Sequence, residues 1–162
     1  MKHLIFSVVF LLSIYLVMSC NSANQNLVTE QQAKVKTEVK QFSDSIAVNV
    51  SKNGPIAWLK YFNDSPEFFM ASDGQLVFRD HRAAQQFITG TLVKTINKIK
   101  LRWYNLRIDA LTPGLAVIGA GFHEDLTDNQ GKTSPYNGYF TGVAQKRDKG
   151  WQLRDAHWSL KH

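Results

Sequence analysis

The middle of the chain carries apolar residues at helical spacing. Intervals of three, four and seven residues place them on one stripe, which predicts a helix from about residue 28 to residue 50. Thr29 with Gln32 three residues later is typical of a capping box at its start. Gly54 and Pro55 are expected to end it. The residues of this stripe are Val28, Val35, Val39, Phe42, Ile46 and Val50.

Shorter elements are predicted after this helix. Residues 56–62 favour a second helical segment, which the run 63–66 interrupts. Residues 67–71 and 75–79 are predicted to pair as a hairpin, because Asp73-Gly74 is a dipeptide that tolerates positive φ. Asp80 is expected to cap a third helix that runs to about Asn97. Its buried side is predicted to carry Ala84, Phe87, Ile88, Leu92 and Ile96.

From residue 99 the period changes from 3.6 to 2. This predicts four long antiparallel strands, at about 99–111, 115–126, 134–147 and 151–160, joined by short turns. Simple hairpin registers divide their residues between two faces, although a single β-bulge would exchange the faces beyond it. The predicted apolar face holds Tyr104, Leu106, Ile108, Ile118, Ala120, Phe122, Asn137, Tyr139, Thr141, Ala156, Trp158 and Leu160. The opposite face holds Asn105, Arg107, Asp109, Gly119, Gly121, Gly138, Phe140, Gly142, Asp155, His157 and Ser159.

The N-terminal residues indicate export. Lys2 precedes an unbroken apolar run over residues 4–18, which is short for a stable membrane anchor and typical of a signal peptide over residues 1–19. Residues 16–20 resemble the lipobox of bacterial lipoproteins, which implies lipidation of Cys20 and a polar tether over residues 20–27. Two alternatives remain open: ordinary secretory cleavage after Ser19, and an uncleaved signal anchor. The lipoprotein interpretation predicts attachment outside the cytoplasmic membrane.

Length, charge and cysteine content limit the number of domains, the kinds of partner and the kinds of metal site. Residues 28–162 are enough for one domain. The formal charge is +6, and its densest basic stretch is Lys94, Lys98, Lys100 and Arg102. A solvated helix end and strand face explain this stretch more simply than contact with lipid headgroups, and export argues against nucleic acid as a partner. Because Cys20 is the single cysteine, we expect neither a disulfide framework nor a thiolate metal site, and we predict no metal and no cofactor.

The predicted order of helix, helix, hairpin, helix and four strands resembles the nuclear transport factor 2-like (NTF2-like) superfamily, in its SnoaL-like and ketosteroid-isomerase-like branch. The similarity covers about residues 28–160, and it is most specific in residues 68–74, 139–143, 150–153 and the triplet His157-Trp158-Ser159. The resemblance implies an α+β fold in which a strongly curved, mostly antiparallel sheet packs on three N-terminal helices. It also implies a cone with a pocket at the wide end. It does not fix a function, since this fold hosts enzymes and plain binding domains alike.

The catalytic groups of the isomerase branch are not evident. That chemistry needs a carboxylate base at the end of the first strand and an acid that holds the oxyanion. Residues 69–71 contain no acid, Asp73 is explained by its turn, and residues 139–143 contain no carboxyl group. Tyr139 and His157 remain as weak catalytic candidates. His123 and His157 are predicted to lie about four residues apart along the sheet, on the order of 13 Å, so they cannot form one site.

We therefore predict a small, largely apolar ligand in the cone, with no identified catalytic set. Two alternatives stay open: an acid–base lyase, isomerase or hydrolase that uses Tyr139 and a histidine, and a dimeric protein-interaction module with a vestigial pocket. Glycines on the opposite face would allow two sheets to approach closely, so a homodimer is expected. The predicted pocket residues are Trp58, Tyr61, Phe69, Tyr104, Phe122, Asn137, Tyr139, Thr141 and Trp158.

Overall fold

The structure is a computed structural model that describes residues 2–161, with side chains from Val28 onward. The chain divides into two compact units, Met1–Lys34 and Val35–His162, and the second contains the whole of the sheet. The predicted signal peptide and Cys20 lie outside the residues whose side chains are described. In chain order the elements are α1 (Lys2–Asn53), a 3₁₀ helix (Pro55–Lys60), β1 (Phe69–Ser72), β2 (Gln75–Phe78), α2 (His81–Phe87), a π-helical turn (Ile88–Leu92), α3 (Val93–Thr95), β3 (Ile96–Thr112), β4 (Leu115–Asp128), β5 (Thr133–Arg147) and β6 (Gly150–Leu160).

Local signals in the sequence account for most of these boundaries. Gly54 has a φ of 73° and follows the last residue of α1, as expected of a residue that ends a helix. Asp73 and Gly74 both have positive φ between β1 and β2, which confirms the hairpin turn. Asp80 Oδ1 accepts a hydrogen bond of 2.7 Å from the backbone N–H of Ala83, so the predicted cap of α2 is also confirmed. The predicted start of the first helix is wrong, because α1 continues upstream of Thr29.

The six strands form one mixed sheet in the order β2-β1-β6-β5-β4-β3. All neighbours are antiparallel except β1 and β6, which run parallel. The α+β architecture and the predicted strand positions are therefore confirmed. The inner face of the sheet packs against α1, the 3₁₀ helix and α2. Trp103 on β3 donates a hydrogen bond of 2.9 Å from its indole Nε1 to the backbone oxygen of Ser43, which fixes the sheet to α1.

The register of β5 differs from the simple hairpin expected. Asp128 Oδ1 accepts from the backbone N–H groups of Gln130 and Lys132, and the last paired residues are Thr127 and Thr133. The connection therefore holds five residues, and this odd number moves the pairing by one residue. Phe140 consequently lies opposite Ala120 and is buried. The predicted faces of β5 are exchanged: Phe140, Gly138 and Gly142 face the core, whereas Asn137, Tyr139 and Thr141 face outward.

Two bulges produce the other differences in register. On β3, Tyr104 pairs with Gly121 and Arg107 pairs with Gly119, so two residues of β3 oppose one of β4. Asn105 sits in this bulge with a φ of 50°. Ile108 therefore faces inward as predicted, while Tyr104 does not. On β6 the shift falls at Arg154, between the residue pairs Ala144–Leu153 and Val143–Asp155.

Candidate functional site

A largely apolar cavity of about 340 Å³ lies between the inner face of the sheet and the helices. Every strand and helical segment from the 3₁₀ helix onward contributes to its wall, apart from the three-residue α3. The volume falls in the range typical of small-molecule sites. The lining residues are Trp58, Phe62, Met70, Ser72, Val77, Phe78, Phe87, Ile88, Leu92, Ile99, Phe122, Glu124, Leu126, Tyr136, Trp158 and Leu160.

Aromatic packing shapes the floor of this cavity. The ring of Trp158 lies at the centre of a cluster and meets Trp58 edge to face, at 5.7 Å between ring centroids. The rings of Phe122 and Phe140 lie 4.7 Å and 4.9 Å from it. The ring of Trp103 stacks on that of Trp158 at 5.7 Å between ring centroids. Because these rings hold one another, the floor is built from side chains with little freedom to move.

Glu124 carries the one carboxyl group among these lining residues. It lies on β4 between Phe122 and Leu126 on the inward face, and it pairs across the sheet with Leu101 and Tyr136. No hydrogen-bond donor among the described residues contacts its carboxyl group. Burial among apolar side chains raises its pKa from an ordinary value of 4.5 to about 7. Glu124 therefore exists in both protonation states near neutral pH, and its oxygens are available to a molecule in the cavity.

The sequence contained a signal for Glu124 that the prediction did not use. Residues Ile118, Ala120 and Phe122 were placed on the inward face, and a period of two extends that face to Glu124. A carboxylate at an inward position of an apolar strand is rare and marks a functional candidate. The neighbouring residues His123 and Asp125 face outward, so it is the alternation along β4 that distinguishes Glu124 from them.

Three predicted pocket residues line the cavity, namely Trp58, Phe122 and Trp158. The prediction is wrong for the pocket residues that lie on the outer face of the sheet because of a shifted register or a bulge. Tyr139 is 50% exposed and Tyr104 is 40% exposed. Phe69 also faces outward, because β1 points Met70 and Ser72 inward. The residues excluded from the cavity in this way are Phe69, Tyr104, Asn137, Tyr139 and Thr141.

Tyr61 belongs to a second, more polar pocket of about 450 Å³. Its hydroxyl donates a hydrogen bond of 2.8 Å to the backbone oxygen of Ser45, so it is a buried structural group. His81 and Asp64 lie in the same pocket with 3.4 Å between Nδ1 and Oδ1. The side chains of Lys60 and Lys149 complete its rim. Phe62 lines both pockets and forms part of the wall between them.

The remaining catalytic candidates lie on the outer face. His157 is exposed and pairs across the strands with Thr141 and Ala71, outside the cavity. The ring of His123 contacts that of Tyr104 in a tilted arrangement, with 4.9 Å between ring centroids, and it forms a hydrogen bond with Asn137. The two histidines are four residues apart along β5, as predicted. Within residues 28–161, no group of three or more His, Cys, Asp or Glu side chains is placed to hold a metal ion.

Two tyrosines cover glycines on this outer face. The ring of Tyr104 lies over Gly121, and the hydroxyl end of Tyr139 lies over Gly119. The predicted glycine-rich surface is therefore partly filled by aromatic rings of its own chain. Gly138 and Gly142 are absent from it, because they face Phe122 and Phe140 in the core.

Comparisons with solved structures identify the fold. A nuclear transport factor 2-like superfamily protein from Salmonella enterica superposes with a TM-score of 0.67 at 22% identity, over 80% of this chain and 93% of that one. A protein from Novosphingobium aromaticivorans that was assigned as a scytalone dehydratase gives 0.70 at 10% identity, over 83% and 89%. The hexachlorocyclohexane dehydrochlorinase of Novosphingobium barchaimii gives 0.63 at 9%, over 80% and 88%.

The chain therefore has the NTF2-like fold, and the fold inferred from the sequence is confirmed. No family profile matches the sequence, and no curated protein matches it. Since all three structural neighbours are less than 25% identical, they establish architecture and not activity. Within residues 28–161, no helix is long and apolar enough to cross a membrane.

Proposed function

We propose that this chain is an exported, lipid-anchored domain that binds a small, largely apolar molecule in its cavity. The observation that carries the proposal is the cavity itself, whose wall is apolar except for Ser72, Glu124 and Tyr136. An apolar site with a few polar groups is the usual composition of a small-molecule pocket. The export and lipid anchor rest on the apolar run 4–18 and on Cys20.

The carboxyl group of Glu124 determines which polar group a bound ligand can present to it. A protonated carboxyl group donates a hydrogen bond and a carboxylate accepts one. Because burial raises the pKa of Glu124 to about 7, the group is protonated below neutral pH at little cost. A neutral ligand with one carbonyl or hydroxyl group fits these conditions, whereas a ligand anion would face the carboxylate.

Native mass spectrometry of the protein purified from its own host tests the proposal. A stoichiometric small molecule, released on denaturation, is the expected result. Ser72→Phe places a ring in the cavity and should abolish that extra mass while thermal unfolding remains cooperative. Lys149→Glu, at the polar pocket, is the control that should keep the ligand. An empty wild-type cavity that also fails to bind the neutral dye N-phenyl-1-naphthylamine would contradict the proposal.

One observation favours acid–base catalysis as a second candidate. A general acid or base works best when its pKa lies near the working pH, and burial brings the pKa of Glu124 to about 7. Two of the structural neighbours carry names of enzymes, a dehydratase and a dehydrochlorinase. In this candidate Glu124 replaces the Tyr139 and histidine of the sequence prediction, since those side chains lie outside the cavity.

Isotope exchange separates catalysis from binding. The molecule released from the protein is returned to it in D₂O, and proton NMR follows loss of a C–H signal. The Glu124 carboxylate would take the proton from carbon, exchange it with solvent and return a deuteron. Exchange that Glu124→Gln abolishes while the ligand stays bound supports the enzyme. If the wild type binds the ligand and no exchange occurs, the catalytic candidate is rejected and only the binding function remains.

A homodimer through the outer face is a separate proposal. Phe69 and Tyr139 are exposed aromatic side chains on this face, on the strands that flank β6. A second copy would cover both rings. Analytical ultracentrifugation over a range of concentrations tests this. A monomer mass at all concentrations would exclude the dimer.

The open cavity argues against the alternative in which the pocket is vestigial.

A further inference from the structure

The cavity has a mouth that can be located from exposure. A residue that both lines the cavity and meets solvent must lie where the cavity opens. Val77, Phe87 and Tyr136 meet both conditions, with exposed fractions of 42%, 41% and 38%. Val93, one residue beyond the lining residue Leu92, is also 36% exposed. Single exposed apolar residues are normal on a protein surface, but a group of them around an opening marks an interaction site.

Lysines surround this group. Lys94, Lys98 and Lys161 each lie within two residues of a lining residue, and Lys132 is brought close by the turn after β4. That turn is held because the Asn129 backbone N–H donates to the oxygen of Thr95 and its side-chain amide donates to the oxygen of Lys94. The mouth and these four lysines therefore share the end of the sheet at which β4 turns into β5.

Positive charge is in excess at this end of the sheet. None of the four lysines forms an ion pair with a described residue. Of the carboxylates in the same region, Asp125 pairs with Arg102. Asp128 and Asp73 keep their negative charge while they accept from backbone N–H groups, so the four lysines still outnumber the carboxylates that face no cation. The surface around the mouth is thus both apolar and cationic.

We propose that the mouth of the cavity docks against an anionic lipid surface. Such a surface offers phosphate groups to lysines and an apolar layer to Phe87, Val77 and Val93, and both attractions are needed for stable interfacial binding. A second copy of the chain docked mouth to mouth would bring lysines against lysines, and a nucleic acid would leave the apolar group unused. The inference rests on the proposed function: a ligand that partitions into the bilayer would enter the cavity without crossing water.

Vesicle sedimentation tests this inference. The chain from Asn21 onward is used, because within residues 28–161 every member of the buried core lies between Val35 and Leu160. We expect it to bind vesicles that contain phosphatidylglycerol, not to bind vesicles of pure phosphatidylcholine, and to be released from the vesicles by salt. Replacing Lys94 and Lys132 by Gln removes two charges and should weaken partitioning about thirtyfold, and reversal to Glu should weaken it further. Phe87→Asp should abolish binding.

A matched control is Lys149→Gln, which removes a lysine at the opposite end of the sheet and should bind as the wild type does. Equal binding by all variants, or no preference for phosphatidylglycerol, would overturn the inference. Dimerisation that the mouth variants abolish, without vesicle binding, would assign the surface to a second copy instead. Dye titration of the cavity keeps the two proposals separate. An occupied cavity without vesicle binding rejects only the docking, and vesicle binding with an empty cavity rejects only the ligand.

Discussion

Glu124 should make the stability of this protein depend on pH in an unusual direction. In the unfolded chain the carboxyl group releases its proton near pH 4.5, whereas burial raises the pKa in the folded state to about 7. Between these values the folded protein holds a proton that the unfolded chain has lost. The contribution of Glu124 to the free energy of unfolding must therefore fall as pH rises through this interval, and it reaches its lowest value above pH 7.

The size of the effect follows from the shift. A difference of about 2.5 pH units at 1.36 kcal/mol per unit corresponds to about 3 kcal/mol. Glu124→Gln cannot lose a proton, so its stability lacks this contribution. Its buried amide costs free energy of its own, but that cost does not change with pH. The difference in stability between variant and wild type should move in favour of the variant by about 3 kcal/mol between pH 4 and pH 8.

Urea unfolding of the ligand-free protein at a series of pH values measures this difference. Other titrating groups, including Asp155, whose pKa burial also raises, are present in both proteins and cancel when the two curves are subtracted. Asp148→Asn changes a carboxylate in the exposed β5–β6 turn and should follow the wild type. Parallel stability curves for wild type and Glu124→Gln would refute the reasoning, because the carboxyl group would then titrate alike in both states.

Three further outcomes are expected. Gly138→Ala should destabilise by about 1–3 kcal/mol in urea unfolding, because its new methyl group meets the Ser159 backbone and the Phe122 ring; Gly121→Ala should cost less, since the exposed Tyr104 ring can move away. Equal costs would contradict this account. Asp80→Ala should cost about 1 kcal/mol through loss of the α2 cap, and an unchanged denaturation midpoint would argue against that role. Cys20→Ala should release the protein from host membranes, and retention after a high-salt wash would reject the lipid anchor.

Short-range chemistry made the fold predictable. The turn at Asp73-Gly74, the cap at Asp80 and the break at Gly54 each depend on a few neighbouring residues, and the structure has all three. The period-two pattern likewise placed all four long strands. These signals agree with one another, which is why the order of elements could be inferred from the sequence.

The candidate site was harder to predict, because it depends on which face of the sheet each side chain occupies. One additional residue in a turn or strand exchanges the two faces beyond it. One extra residue in the Asp128 turn exchanged the faces of β5, and it moved Tyr139 from the predicted pocket to the surface. The bulge at Asn105 did the same to Tyr104. Neither feature has a distinct sequence signature, since several turn lengths suit residues 128–131 equally. Glu124 could have been found, because β4 has no such irregularity between Ile118 and Leu126.

The order of strands in the sheet has a consequence for how the chain folds. β6 is the last strand to be synthesised, yet it lies between β1 and β5 and joins the early hairpin to the later meander. Until β6 is present, the β1–β2 hairpin has no partner in the sheet, and its cavity-lining residues Met70 and Val77 have no opposite wall. The cavity is therefore completed only after synthesis of the strand that contains Trp158, and a ligand can be enclosed no earlier than that.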